Sequence, residues 1–141
     1  MLGFSKRTDY ALMALSCLAA EEEGEATNSR TIASRYGIPP ELLAKTMQLL
    51  AKSGIVDSRN GPKGGYVLAR PPESVTIAEV IRAIEGPIVL ALCQEGEAAE
   101  CDQYERCPIF HPMERIQQRV AGLLESMTLM DMIGVPLGDI R

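Results

Sequence analysis

Residues 55–68 of this chain read Ile-Val-Asp-Ser-Arg-Asn-Gly-Pro-Lys-Gly-Gly-Tyr-Val-Leu. Two short runs that favour extended structure, Ile55–Ser58 and Gly65–Leu68, flank a turn that is rich in glycine and carries the cations Arg59 and Lys63. This pattern predicts a β-hairpin with a positively charged tip. Glycines allow the backbone of such a tip to approach another molecule closely, and the cations can reach phosphates or a minor groove.

Two short helices are predicted immediately before this hairpin. Asn28 or Ser29 can cap a helix over Thr31–Tyr36, which Gly37 ends. The next helix covers about 40–52. Its apolar positions predict an inward face made of Leu42, Leu43, Met47, Leu49 and Leu50. Two short helices and a tight turn followed by a hairpin are typical of a winged helix-turn-helix, in which the second helix reads the major groove of DNA.

The rest of the chain is predicted to be helical apart from one long loop. An apolar stripe predicts a first helix over Thr8–Ala20, and Thr76 opens another that Gly86 ends. The predicted fold is therefore mainly α with a small β-hairpin wing, followed by a long C-terminal dimerisation helix. Its predicted parts are a DNA-binding domain (1–87), a cysteine-containing loop (88–112), the dimerisation helix with a short turn (113–133) and a tail (134–141).

The charge is distributed unevenly along the chain. The whole sequence of 141 residues has a net charge of −5, but 28–70 contains seven basic and two acidic residues and so carries +5. A phosphate-binding surface needs local positive charge rather than a basic protein. No apolar stretch is long enough for a membrane helix and no signal-peptide pattern is present, so a cytoplasmic location without membrane contact is expected.

Three cysteines lie close together in the long loop. Cys93, Cys101 and Cys107 have the spacing C-x7-C-x5-C, which lacks the C-x2-4-C pair that is usual in structural zinc sites. Soft thiolates at wider spacing suit an iron–sulfur cluster, and a cytoplasmic protein keeps its thiols reduced. The fourth cysteine, Cys17, falls in the apolar stripe of the first helix and is predicted to belong to the core. His111 can act as a further ligand or cap the following helix.

These segments resemble the Rrf2 family of bacterial winged-helix regulators, which includes iron–sulfur assembly regulators and nitric-oxide-sensing repressors. The resemblance covers nearly the whole chain, including Thr8–Leu12, and is most characteristic at Gly61–Tyr66, Leu68–Ala69, Ile77–Pro87 and Thr128–Asp131. It implies a homodimeric transcription regulator, acting as repressor or activator at a pseudo-palindromic duplex operator. Control by an iron–sulfur cluster that senses nitric oxide, redox stress or iron–sulfur status is also implied.

The resemblance also implies ligands. Cys93, Cys101 and Cys107 match the family's cluster ligands, although the first interval is two residues longer than in well-known members. Asp9, supplied by the partner subunit, matches the fourth ligand of the nitric-oxide sensors. His111 is the alternative, one position beyond the family's histidine. A carboxylate ligand favours [4Fe-4S] by analogy, with [2Fe-2S] as the other choice.

The expected DNA contacts lie on the recognition helix and the wing. The predicted set is Arg30, Pro40, Glu41, Ala44, Lys45, Gln48, Arg59, Asn60 and Lys63. The family's wing arginine is replaced by Asn60, with Arg59 just before it, so Lys63 is a candidate for that contact. The rival hypothesis is a clusterless regulator that responds through cysteine oxidation or bound zinc. No nucleophile–base pair or phosphate-binding glycine loop is present, so no enzymatic activity is expected.

Overall fold

The computed structural model describes residues 3–95 and 101–133. The predicted tail and residues 96–100 of the predicted cysteine loop lie outside the described residues. The described elements are α1 (Lys6–Ala20), α2 (Ser29–Tyr36), α3 (Pro40–Lys52), β1 (Val56–Arg59), β2 (Gly65–Leu68), α4 (Ile77–Glu85), α5 (Phe110–Ser126) and α6 (Leu129–Ile133), with short 3-10 turns at Pro72–Ser74, Leu92–Glu95 and Tyr104–Arg106. This arrangement confirms the predicted, mainly helical fold with a hairpin wing.

Several predicted element boundaries were wrong by one to three residues, including the start of α2, which is Ser29 rather than Thr31. α1 begins at Lys6 because the Ser5 side chain accepts a hydrogen bond from the Thr8 N–H and caps the helix earlier. β1 is shifted one residue towards the wing tip. α5 begins at Phe110 rather than Met113, because Pro112 lies in the first turn, where no backbone N–H is needed inside the helix.

The wing is attached to the chain that precedes α2. β1 and β2 pair antiparallel, with Arg59 opposite Gly65. Tyr66 then pairs on its other side with Thr27, through N···O distances of 2.8 and 3.0 Å. A Cβ atom on Gly65 would lie 2.4–2.6 Å from the backbone of Thr27 and Asn28, so only glycine permits this contact. The hairpin is thus fixed beside the start of α2.

One hydrophobic core lies beneath the helix-turn-helix. α1 contributes most to it, and α2, α3, α4, α6 and β2 pack around that helix. Its largest fully buried apolar side chains are Leu15, Ile32, Leu43, Met47, Leu50, Ile55, Val56, Val75, Val80 and Leu129. Cys17 is 2% exposed, which confirms its predicted place in the core. Because α2 and α3 both pack on this core, the outer face of α3 is held in a fixed orientation.

The C-terminal segment returns to the winged-helix core. The Ile77 N–H donates to the Met127 carbonyl at 2.9 Å, and the Leu129 N–H donates to the Val75 carbonyl at 3.0 Å. Thr128 opens α6, with the Asp131 carboxylate accepting its N–H at 2.8 Å. The Leu129 side chain is fully buried, and such burial contributes about 1.5–3 kcal/mol. Residues beyond 113 therefore complete the core of the predicted DNA-binding part, and the predicted domain boundaries remain predictions.

Candidate nucleic-acid interface and cysteine site

The helix-turn-helix is closed by a left-handed turn. Gly37 ends α2 with φ 66° and ψ 31°, a conformation that glycine adopts without steric cost. The Ile38 N–H then donates to the Ala33 carbonyl at 2.9 Å, and Pro40 opens α3. At the other end of α2, the Asn28 side chain accepts the Thr31 N–H at 2.8 Å. Both ends of α2 and the start of α3 therefore coincide with residues whose conformational preferences are visible in the sequence.

The outer face of α3 carries the predicted reading residues. Leu43, Met47 and Leu50 are buried on the opposite face. The remaining positions, at helical spacing, turn outward: Pro40, Glu41, Lys45 and Gln48 are exposed, and Ala44 is half-buried. Leu42 was predicted to face inward, and this was wrong: its side chain is 41% exposed, about 100° around the helix from Leu43. An apolar side chain thus borders the polar face.

The wing and the start of α2 add exposed polar groups. Arg59, Asn60 and Lys63 all lie at the wing tip and are exposed, and so is Arg30 in the first turn of α2. Their predicted role in DNA binding is a property of a complex with DNA and remains a prediction. Because β2 is hydrogen-bonded to the residue before Asn28, these groups are held at one side of α3.

Only part of the predicted basic surface is free of ion pairs. Arg70 pairs with Glu79 on α4, and Arg35 donates to the Glu21 carboxylate at 3.1 Å. The remaining cations of 28–70, within the described chain, form no salt bridge: Arg30, Lys45, Lys52, Arg59 and Lys63. These unpaired cations occupy α2, α3 and the wing, which concentrates the positive potential on the side of the recognition helix.

Arg35 instead belongs to a small polar cluster between α1 and α2. Its Nη1 atom lies 3.0 Å from the Cys17 Sγ atom. The hydrogen bond to Glu21 raises the pKa of the Arg35 guanidinium above its usual value, and the Cys17 sulfur adds to the shift. Burial, reinforced by a hydrogen bond with Cys17, raises the pKa of the Tyr36 hydroxyl. Charge counting along the sequence cannot reveal this pairing, because Glu21 directly follows α1 whereas Arg35 lies on α2.

The three predicted ligand cysteines line one pocket beside the start of α5. Cys93, Cys101 and Cys107 are half-buried and free of disulfides. The pocket has a volume of about 650 Å³, and its other walls include Ile109, Phe110 and Met113. Three soft donors in an apolar pocket of this size fit a polynuclear iron–sulfur cofactor. Within the described residues, however, no three Cys, His, Asp or Glu side chains lie close enough together to share one metal ion.

Neither candidate for the fourth ligand lies in this pocket. Asp9 lines a different pocket of about 470 Å³ on α1, and its carboxylate is 4.0 Å from the Lys6 ammonium group. The His111 side chain is 84% exposed on α5, with Nδ1 3.6 Å from the Glu114 carboxylate. A single protomer therefore brings the three thiols to one pocket but adds neither Asp9 nor His111.

α5 and its two flanking residues carry an apolar stripe in which, within the described part of the chain, Met113 and Val120 are half-buried and the other members are exposed. Its members alternate at spacings of four and three residues: Ile109, Met113, Ile116, Val120, Leu123 and Met127. Leu123 is 60% exposed and Ile116 is 47% exposed, which is unusual for a row of large aliphatic side chains. The 4–3 alternation is the heptad pattern of a helix that packs along another helix.

Helix-turn-helix, attached wing and recognition-helix surface together define a winged-helix, DNA-binding transcriptional regulator. The chain belongs to the Rrf2 family, whose profile, described as an iron-dependent transcriptional regulator, matches residues 4–134. It is 34% identical over 126 residues to the HTH-type transcriptional regulator NsrR of Bacillus licheniformis. The matched region covers 89% of this chain and 88% of that protein.

Solved structures agree with this assignment. CymR, the global cysteine regulator of B. subtilis, has a TM-score of 0.73 at 29% identity, covering 94% of this chain and 97% of CymR. IscR of T. potens has a TM-score of 0.68 at 26% identity, covering 94% of this chain and 86% of IscR. In the described part of the chain, no helix is both long and apolar enough to cross a membrane.

Proposed function

We propose that this protein is a homodimeric transcription regulator whose binding to a pseudo-palindromic operator is controlled by an iron–sulfur cluster. The observation that carries the proposal is the pocket shared by Cys93, Cys101 and Cys107 at the start of α5. Nitric oxide, redox stress or iron–sulfur supply is the class of signal that such a cluster detects. The similarity to NsrR and IscR supports the proposal that the cysteines bind an iron–sulfur cluster.

Dimerisation is supported by the apolar stripe on α5. Two copies of this helix, packed through their 4–3 stripes, would remove Ile116 and Leu123 from water. A two-fold dimer also carries two recognition helices, which matches an operator with two half-sites. In such a dimer Asp9 of the partner subunit is the proposed fourth ligand, since within one protomer Asp9 lies in a different pocket from the three cysteines.

The chain's residues would act in three ways. The three thiols hold the cluster, which supplies reactivity towards nitric oxide and oxidants when bound. Cys107 lies three residues before α5 and Cys93 follows α4, so a change at the cluster reaches both helices. Arg30, Arg59, Asn60 and Lys63 hold the DNA backbone or the minor groove, while Pro40, Glu41, Ala44, Lys45 and Gln48 face the major groove.

The test is anaerobic purification followed by visible absorption, native mass spectrometry and measurement of DNA affinity. We expect a coloured dimer with a cluster mass, and an affinity for a duplex selected from random sequence that differs at least about ten-fold between cluster-bound and cluster-free protein. Asp9→Ala should change or lose the absorption. Glu23→Ala, an exposed carboxylate in the turn after α1, should leave it unchanged.

Other outcomes select among the rivals. Loss of the cluster in His111→Ala but not in Asp9→Ala would identify His111 as the ligand. A colourless protein after reconstitution with iron and sulfide would overturn the cluster proposal. It would favour the second candidate, a thiol-oxidation or zinc regulator, which the structural likeness to the cysteine regulator CymR supports. Equal DNA affinity of the two forms would contradict control by the cluster.

A further inference from the structure

A side-chain amide on α5 holds the backbone that leads into the cysteine pocket. The Gln117 Nε2 group donates to the Ile88 carbonyl, and the Leu90 N–H donates to Gln117 Oε1 at 2.8 Å. A neighbouring parallel strand would make the same pair of bonds around Val89. The reversed amide would set its NH₂ group against the Leu90 N–H, so the two partners together define its orientation.

The residues held by this contact and the start of α5 are each separated from one of the thiols by only a few residues of chain. Cys93 follows Leu90 by three residues, in the turn Leu92–Glu95. Cys107 precedes Phe110, the first residue of α5, by three residues. α5 therefore fixes Cys107 through the continuous chain and Cys93 through the side chain of Gln117. The segment 88–90 is half-buried and, with Leu124, lines a pocket of about 400 Å³, so it also packs against the helix.

We propose that Gln117 is a positioning residue of the cysteine site. Its two hydrogen bonds set the Cys93 thiol opposite the Cys107 thiol, so that both reach one thiolate-bound cofactor, and they transmit displacement of Cys93 to α5. This inference rests on the cluster-sensor function proposed above. Gln117 touches neither the pocket nor the operator surface, and acts only through the backbone of 88–90.

The experiment compares Gln117→Leu with Gln118→Leu, a matched change at the adjacent, exposed position of the same helix. Three readouts are used: hydrogen exchange at the Leu90 amide, maleimide alkylation of each cysteine in cluster-free protein, and anaerobic decay of the visible absorption after reconstitution with iron and sulfide. In Gln117→Leu we expect about ten-fold faster Leu90 exchange, selectively faster alkylation of Cys93, and about ten-fold faster decay.

Gln117→Glu provides the intermediate case. Its carboxylate still accepts from the Leu90 N–H but cannot donate to the Ile88 carbonyl, so its values should fall between wild type and Gln117→Leu. If Gln117→Leu does not fold, the same three measurements on Gln117→Glu test the proposal.

Faster Leu90 exchange in the Gln117 variants, with Cys93 alkylation and decay equal to those of Gln118→Leu, would overturn the inference, because the contact would then be structural only. A wild-type protein that forms no cluster would defeat the proposed function. The relative alkylation of Cys93, Cys101 and Cys107 would still decide the role of Gln117.

Discussion

Gly65 is the residue on which the position of the wing depends. Its φ of +148° is unfavourable for other residues, and an added Cβ would meet the backbone of Thr27 at 2.4 Å. We therefore expect Gly65→Ala to lower the free energy of unfolding by about 2 kcal/mol or more and to weaken DNA binding. Urea denaturation and binding to a labelled duplex measure the two effects.

Gly61 provides the control for Gly65. Its φ is +102°, but nothing lies within 4 Å of an added Cβ, so Gly61→Ala imposes backbone strain without a clash. It should cost about 1 kcal/mol and leave the contact with Thr27 intact. Equal destabilisation by the two substitutions would mean that the approach to Thr27 does not hold the wing.

Single residues also show where sequence patterns stop being informative. The excess of basic residues in 28–70 is visible in the sequence. That Arg35 bonds to Glu21 and Cys17, and so is not a free cation of the basic surface, depends on how α1 and α2 pack. Leu42 is similar: helical periodicity places it at the edge of the apolar face, and only the depth of the core decides its exposure. Periodicity predicts the direction in which a side chain points from the helix axis. Whether that side chain is buried depends on the elements packed around the helix.

α5 is the element whose exposed apolar side chains give the clearest support for the proposed dimer. Leu123 in its apolar stripe is 60% exposed in one protomer, so replacing this residue costs that protomer little. We expect Leu123→Glu to convert the dimer to monomer, because it would place a charge in the shared helix interface. Light scattering on a sizing column gives the mass, and thermal unfolding checks that the protomer remains folded.

Gln118 lies about 140° from Leu123 around α5, so Gln118→Glu should leave the mass unchanged. A dimer that survives Leu123→Glu would show that the stripe is not the contact between the subunits.

The element order was fully predictable because local signals mark each helix. Asn28, Gly37, Thr76 and Gly86 cap or end their helices as their side chains and conformations require. The start of α5 was missed because proline usually ends a helix. Its tolerance in the first turn shows only in the structure, where the Ile109 carbonyl already accepts a hydrogen bond from the Met113 N–H at 2.9 Å.

At the scale of the whole molecule, a net charge of −5 coexists with a surface of unpaired cations. DNA binding should therefore depend strongly on salt, with each phosphate contact contributing a slope of about −0.9 in a plot of log affinity against log salt. We expect Lys63→Ala to make this slope less steep by about two in a dimer. Fluorescence anisotropy with a duplex of arbitrary sequence measures it.

Arg119 gives the matched comparison, as an exposed cation on α5 without a salt bridge among the described residues. Arg119→Ala should not alter the slope. An unchanged slope in Lys63→Ala would remove the wing tip from the set of phosphate contacts.

The cysteine pocket of one protomer contains neither of the two proposed fourth ligands, Asp9 and His111. The cysteine spacing predicted the three thiols, which do line one pocket, but a ligand from a second subunit has no signature in the order of residues. Asp9 therefore stays a prediction. Its test requires the assembled dimer, because both the dimer contact and the carboxylate must be present together.

The return of Leu129 to the core has a consequence for how this protein is made. Val75 and the first residue of α4 are hydrogen-bonded to a segment fifty or more residues further along the chain. A ribosome that has produced all of the helix-turn-helix and the wing has therefore not yet produced a side chain that fills their interior. The nascent chain must wait for residue 129, exposing apolar surface to chaperones and proteases in the meantime.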